Sequence, residues 1–474
     1  MNYKDLESKA IFHWFKEISQ IPRESGNEQE ISDFLVNFAK ERNLEVIQDD
    51  ENNVIIKKDA SPGYEDTPTI CLQGHMDMVA VKEPSSDHDF QKDPIELLVE
   101  DGWVTANKTT LGADNGIAVA YSLAILDSDD VEHGPLEVLI TTDEERGMTG
   151  ATALDASVLN AKYLLNLDSE EEGILTVGCS GGVEVEITFD KEEEDPSGEF
   201  VKIDLSGFEG GHSGMEIDKF RVNAIKQLSR MIIELGEYKI GKISGGVKRN
   251  AIPSEASAIV NVKNADACLE ILEKVKEDIL HEFKDSDPNG EISIEKTSFD
   301  DKVMTEKSST DLVEFLYLCT DGLYKKDLEL DAILTSSNLG LLEDLDDKIR
   351  VTSFVRSSIQ SDKEYRAFMI ELLAHKFGGA TKQVGEYPGW EKEESEAIEI
   401  SRKVWKEFTG NEQVVATTHG GLECGILKDK MPDTLMISFG PAIEGAHSPR
   451  ERLNIESAER NYEFLKEILK EFKH

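Results

Sequence analysis

Leu139-Ile-Thr-Thr-Asp-Glu-Glu-Arg-Gly147 is the stretch on which the reading of this chain turns. The apolar run at residues 136–140 reads as a buried strand, and it stops at three successive acids, Asp143, Glu144 and Glu145. Open α/β sheets place ligands at the carboxyl ends of their strands, so such a strand delivers negative charge to the mouth of a sheet. Packed carboxylates repel one another and need a proton, a cation or free water. If the chain stays extended, Glu144 and Glu145 point to opposite sides. One could then hold a metal while the other handles a water. Taken alone, the stretch fits a solvated acidic turn equally well.

Other segments break the tie. Residues 69–79 form an apolar strand running into His75 and Asp77. In that spacing one imidazole nitrogen can bind a metal while the other donates to a carboxylate that fixes its tautomer. Residues 161–167 are a further apolar run, ending at Asp168. The strand at 434–439 leads to His447. Thr110-Leu-Gly-Ala-Asp114-Asn-Gly turns into an apolar helix, where Asp114 is either the N-cap or a carboxylate bridging two metals. The candidate set is therefore two histidines and three carboxylates: His75, Asp114, Glu145, Asp168 and His447. Donors of nitrogen and oxygen without thiolate suit two divalent ions, zinc first and cobalt or manganese after it. Glu144, beside the ligand Glu145, then has the place of a general base. His13, His88, His133, His281, His375 and His474 have no such context and read as surface or packing residues.

The bulk composition narrows the function classes. At 474 residues the chain is too long for one core, so two or more domains are expected. A net charge of −45 argues against nucleic acid and against anionic membrane surfaces. The five cysteines are far apart and mostly in apolar runs, which predicts buried free thiols in a reducing compartment. The start of the chain has no signal-peptide character and no apolar stretch reaches membrane length, so a cytoplasmic location is expected.

Along the chain, a helix is predicted over residues 4–20. A second helix follows Pro22, capped by Ser25 or Asn27. The character changes near Val183, where strand-like runs flank an acidic loop. The turn Gly210-Gly-His-Ser-Gly214 and a helix over 223–235 come next. A similar helix and strand order recurs over 265–382, which reads as a doubled β-α unit. The expected fold class is α/β: a catalytic domain with a mixed central sheet flanked by helices, and an inserted α+β domain of doubled ferredoxin-like units. The catalytic domain is expected over residues 1–184 and 387–474, with the insert over 185–386.

His75-Met-Asp77, Gly112-Ala-Asp114-Asn-Gly, Thr142-Asp-Glu144-Glu145-Arg-Gly-Met-Thr-Gly, Asn166-Leu-Asp168-Ser-Glu and Gly445-Ala-His447-Ser-Pro together resemble the family of dinuclear zinc exopeptidases and deacylases. The His-Met-Asp-Met-Val form, Leu-Gly-Ala-Asp-Asn-Gly, Gly-Leu-Glu-Cys-Gly and Gly-Ala-His-Ser-Pro-x-Glu-Arg-Leu are similar to its aminoacyl-histidine dipeptidase branch, and the likeness spans nearly the whole chain. The resemblance implies that His75, Asp114 and Asp168 hold one ion and Asp114, Glu145 and His447 the other. It implies that Asp77 orients His75, that Glu144 is the base, and that a cis peptide follows Asp114. An aspartate at the position of Asp168 accompanies family members that take a free amino terminus, which favours dipeptides of Xaa-His and broader type over N-acyl amino acids. Arg356 is the candidate for the substrate carboxylate. His212, Asn250 and the Gly421 backbone amide resemble the family's lid and hinge contacts, with His212 facing the tetrahedral oxyanion. His419-Gly-Gly departs slightly from the branch's small-residue pattern there. Lids in this family are either doubled within a chain or paired between two, which leaves a homodimer through the insert open.

Overall fold

The computed structural model describes residues 2–473; His474 lies outside them. The chain divides into two compact units, residues 1–178, 392–417 and 422–474 in one and residues 179–391 with 418–421 in the other.

The first unit is built on an eight-stranded mixed sheet. From edge to edge it runs Glu45–Gln48, Val54–Lys58, Leu136–Thr141, Ile70–His75, Tyr163–Asn166, Leu435–Ser438, Ile174–Cys179 and Val414–Thr418. The four in the middle of the eight, from Leu136–Thr141 to Leu435–Ser438, are mutually parallel. Parallel strands are covered on both faces and read as continuous apolar runs, which is why these segments look alike in sequence. Helices Ala10–Ser19, Gln29–Glu41, Ala113–Asp127 and Ile455–Glu471 contribute to its core, with Phe12, Phe15, Leu35, Tyr121, Phe464 and Leu465 fully buried or nearly so.

Several local expectations are corrected. The first helix begins only at Ala10, after a 3-10 turn at Tyr3–Asp5. The Tyr3 hydroxyl donates to the Phe12 carbonyl at 2.8 Å and so folds the leading turn back onto the helix. Helix Gln29–Glu41 has neither Ser25 nor Asn27 as its cap; Glu28 stands there without a side-chain capping bond. The Ser25 hydroxyl is spent on Asp77 instead.

The second unit carries a nine-stranded sheet in which two β-α-β-β-α-β motifs lie side by side. One half is Glu199–Ser206, helix Ala224–Ile233, Lys239–Gly245, Ala256–Val262, helix Ala265–Glu282 and Glu291–Thr297. Its strands sit in the sheet as fourth, first, third, second. The other half has its first strand at Gly181–Asp190, ahead of the whole first half. It resumes with helix Glu306–Leu318, Ile333–Asp344, Lys348–Ser357, helix Gln360–Lys376 and Ala380–Tyr387. These strands take the mirrored order, second, third, first, fourth, and Gly322–Lys326 pairs beside Ile333–Asp344. The doubling is thus nested, not consecutive from residue 265, because the first half is inserted after the opening strand of the second. Strands Lys239–Gly245 and Ile333–Asp344 register at Gly245 and Leu342, and this seam joins the halves. Lys226 crosses the same seam: its ammonium donates to the carbonyls of Leu316, Tyr317 and Cys319 and so caps a helix of the other half.

All five cysteines are buried and outside any disulfide. Among the described residues no helix is long and apolar enough to cross a membrane.

Candidate metal centre

The ligand candidates of the first unit arrive at one edge because neighbouring parallel strands end together. His75 is level with Thr141 across the ladder, and Gln73 is level with Asn166, which is level in turn with Ser438. Two residues beyond Asn166 the chain has therefore advanced to the level of His75, and that residue is Asp168. Beyond Thr141 the backbone does not stay extended, as the alternation argument had supposed. Asp143 takes a left-handed conformation with φ 53°, and Glu144–Gly147 form a single helical turn. Both glutamates therefore face the same cluster, rather than opposite sides.

Asp114 is not a helix N-cap. Gly112 occupies that position with φ 70°, and Asp114 and Asn115 have non-helical backbone angles joined by a cis peptide. This bend presents the two Asp114 oxygens separately. Oδ1 lies 3.2 Å from His75 Nε2, and Oδ2 lies 3.1 Å from His447 Nε2. His75 Nε2 is also 3.4 Å from Asp168 Oδ1, and His447 Nε2 is 2.9 Å from Glu145 Oε2. Two three-residue sets, His75 with Asp114 and Asp168, and Asp114 with Glu145 and His447, each bring their ligand atoms within 4.8 Å of one another.

The other nitrogen of His75 is turned toward Asp77, 3.2 Å from its carbonyl oxygen and 3.3 Å from Oδ1. Asp77 also accepts from the Ser25 hydroxyl at 2.7 Å and from the backbone N–H groups of Glu144 at 3.1 Å and Glu145 at 3.3 Å. One buried carboxylate thus orients a histidine and the turn that carries both glutamates.

The electrostatics describe a site short of positive charge. Burial raises Asp168 to about 6 and lifts Glu145 and, more strongly, Glu144 above the ordinary carboxyl range. The bonds from Asp114 and Glu145 push His447 up to about 11. His75 loses water on burial, yet the carboxylates of Asp168, Asp114 and Asp77 together raise it well above its usual value. Glu145 Oε1 is buried without a hydrogen-bond partner. Imidazole and carboxylate donors converging around an unsatisfied anionic oxygen fit divalent cations.

Three buried residues that sequence reasoning gave no role support the ligands. Arg23, 2% exposed, donates to the carbonyls of Met76 at 2.9 Å and Gly112 at 2.6 Å. Glu451 accepts from four successive N–H groups, Leu111 to Asp114, at 2.7–3.2 Å. Glu423, raised to about 7 by burial, accepts from Gln73 Nε2 and Thr141 Oγ1, each at 2.6 Å. A polar rung continues beneath the ligands from Gln73 to Asn166 at 2.6 Å and from Asn166 to Ser438 at 2.5 Å. Glu423 and Glu451 both lie inside quoted motifs, Gly-Leu-Glu-Cys-Gly and Ser-Pro-x-Glu-Arg-Leu. An acid in an otherwise small or apolar motif was the available signal for Glu423, whereas Glu451 stands between two arginines and is masked by them. Arg23, next to Pro22, left none.

The remaining candidates lie in the second unit. Arg356 is 5% exposed, not a surface arginine; it stacks over Phe354 and donates to the Tyr387 hydroxyl at 3.2 Å. Its Nε is buried without a partner. Gly421 packs against Tyr387, where a Cβ would come within 3.0 Å of the ring. His212 Nδ1 accepts from the N–H groups of Gly214 and Met215 at 3.3 and 3.2 Å, and the Asn250 carbonyl accepts from Ser213 N–H at 2.9 Å. His419 is held between two hydroxyls, Ser180 on Nδ1 at 2.6 Å and Ser336 on Nε2 at 2.7 Å. Of the histidines set aside, His133 is buried with Nδ1 2.7 Å from the Gly134 carbonyl, a packing role.

Known proteins place the chain in context. It is 35% identical over 475 residues to the cytosol non-specific dipeptidase of Escherichia coli, covering 98% of each chain. The crystal structure of aminoacylhistidine dipeptidase from Vibrio alginolyticus superposes with a TM-score of 0.90 at 35% identity, covering 98% of this chain and 96% of that one. An aminopeptidase from Bacillus cereus shares the fold at a TM-score of 0.58 and 18% identity, over 98% and 99% of the two chains. Residues 71–471 match the family described as Peptidase family M20/M25/M40. On that match, and on relatives alike over nearly their whole length, the chain belongs to peptidase family M20/M25/M40.

Proposed function

We propose that this protein hydrolyses the peptide bond of unblocked dipeptides, Xaa-His among them, with two divalent ions held by His75, Asp114, Asp168, Glu145 and His447. The observation that carries the reading is Asp114, whose two oxygens each face a separate histidine and carboxylate. The names of the 35%-identical relatives, a non-specific dipeptidase and an aminoacylhistidine dipeptidase, support the same substrate class. Zinc suits the donor set best, and cobalt or manganese would serve in its place.

When bound, a pair of divalent ions polarises the scissile carbonyl and acidifies the attacking water. Glu144 takes the proton from that water and returns it to the leaving amine. Its buried, proton-hungry carboxyl suits that task. Asp77 holds the His75 tautomer and, through two N–H groups, the turn that carries the base. Arg356 takes the substrate carboxylate, since a planar guanidinium pairs two oxygens at once. His212, Asn250 and the Gly421 N–H contact the substrate, with His212 at the oxyanion. The inserted unit acts as the lid. A homodimer through it would appear in light scattering as twice the 52.8 kDa chain mass. The E. coli relative's name and five buried cysteines outside any disulfide favour the cytosol.

The test is chelation followed by metal add-back on a dipeptide panel. Activity should vanish with chelator and return with zinc, cobalt or manganese. Each dipeptide is paired with its N-acetylated form. Preference for the blocked member would make the protein a deacylase and overturn the proposal.

A further inference from the structure

The bridging carboxylate is gripped from two sides, and the grips lead to different ligands. Arg23 donates to the Gly112 carbonyl and to the Met76 carbonyl, so it ties the Asp114 loop to the strand end that carries His75. Gly112 and Gly116 leave room for this guanidinium, since a Cβ on either would come within 2.6 Å of its terminal nitrogen. Glu451 approaches the same loop from the His447 side. Its Oε2 accepts from Leu111 and Gly112 at 2.8 and 2.9 Å, and its Oε1 from Ala113 and Asp114 at 2.7 and 3.2 Å.

Glu451 is four residues past His447, and the turn between them is stiff. Gly445 has φ 68° and its missing Cβ clears the Arg450 carbonyl, while His447 itself is left-handed at φ 59°. The Ser448 hydroxyl donates to Gly445 at 2.7 Å, and Glu451 N–H donates to the Ser448 carbonyl at 3.0 Å. Moving Glu451 therefore moves His447 relative to Asp114.

We propose that Glu451 is a positioning residue for the second ion of the pair: its clasp on four N–H groups sets the distance between Asp114 and His447, while Arg23, on the other side of Gly112, sets that between Asp114 and His75. This rests on the dinuclear reading above, but the clasp itself touches no ligand atom of either pocket. The two ions therefore depend on different supports, although they share one carboxylate. Replacing Glu451 should loosen the pocket of Asp114, Glu145 and His447 and leave that of His75, Asp114 and Asp168 in place. Support residues of this kind commonly change metal affinity by about 10- to 100-fold.

The experiment titrates apo full-length protein with Co2+, following heat and the visible absorption of the bound ion, in wild type, Glu451→Gln, Glu451→Asp and His447→Ala. Wild type should take two ions. Glu451→Gln, which turns an amide NH2 toward two of the four donors, should keep at wild-type affinity the ion that His447→Ala retains and bind the other about 10- to 100-fold more weakly. Glu451→Asp, shorter but still anionic, should fall between and serves as the readout if the glutamine variant does not fold. Adding Glu451→Gln to His447→Ala should cost nothing further, because both act on one pocket. Unchanged binding of both ions, equal weakening of both, or additive loss in the double variant would overturn the inference. A wild-type protein that binds fewer than two ions would instead overturn the dinuclear reading itself.

Discussion

His447 in the first unit and His419 in the second carry the same imidazole and end with opposite proton affinities. Asp114 and Glu145 push His447 up to about 11. Burial, helped by Arg356 and His212, brings His419 down to about 3. The first unit surrounds His75 and His447 with carboxylates and leaves Glu145 Oε1 unsatisfied. The second surrounds His419 with hydroxyls and places a buried guanidinium nearby. The first is an environment for cations and the second one for anions.

The largest expected effect comes from the carboxylate side. Glu144→Gln should lower kcat about a hundred- to ten-thousand-fold, the usual contribution of a positioned general base. Metal content measured on the same preparation should be unchanged. An active variant would leave the cation-side cluster without its proton carrier.

On the anion side, Arg356→Ala should raise KM about 10- to 100-fold with little change in kcat. Hydrogen bonds to a charged group contribute about 1.5–3 kcal/mol, and a uniform binding contact appears in KM. The wild-type preference for a free carboxylate over its amide should shrink in the variant. If it persists, the anion environment serves something other than the substrate terminus.

Metal loading should expel protons. His447 is raised to about 11 in the metal-free protein, so at pH 7 it holds a proton that an incoming ion must displace. Calorimetry in buffers of different ionisation enthalpy should report on the order of one proton or more released as the pair binds. Affinity should accordingly rise with pH. Binding without proton release would mean that His447 is not a ligand.

The smallest effect should be on stability. His419 is lowered from 6.5 to about 3. Between those values the unfolded chain holds a proton there and the folded chain does not, so stability should fall as pH drops from about 6.5 toward 3. Compared at several pH values, His419→Asn should lose that part of the slope. The difference should amount to a few degrees in unfolding midpoint for each pH unit below 6.5, given about 1.4 kcal/mol per unit and about 2–4 °C per kcal/mol for domains of 150–250 residues. Parallel slopes would imply that the imidazole is not held neutral between Ser180 and Ser336.

The strand ends were legible because burial on both faces forces an apolar run, and a charged residue directly after such a run has few bland explanations. That pattern pointed to His75, Glu145, Asp168 and His447 as candidates and the turn into an apolar helix added Asp114; the structure brings these five side chains together. The alternation argument for Glu144 and Glu145 failed, since a left-handed Asp143 starts a helical turn and no spacing rule announces it. The nested halves of the second unit were blurred for a related reason. The opening strand, Gly181–Asp190, is separated from its own helix by the entire other half, and periodicity along the chain carries no record of which strands pair.

By itself, then, the order of residues determined the donor types: imidazoles and carboxylates at the ends of buried strands, without thiolate, and hence chemistry built on hard or borderline cations. Tertiary structure alone decided which oxygen of Asp114 faces which histidine, and that Glu451 and Arg23 hold that arrangement from opposite sides. Ligand type is a property of one side chain and can be read locally. Sharing a carboxylate between two pockets depends on residues more than three hundred positions apart, and those meet only when the sheet has formed.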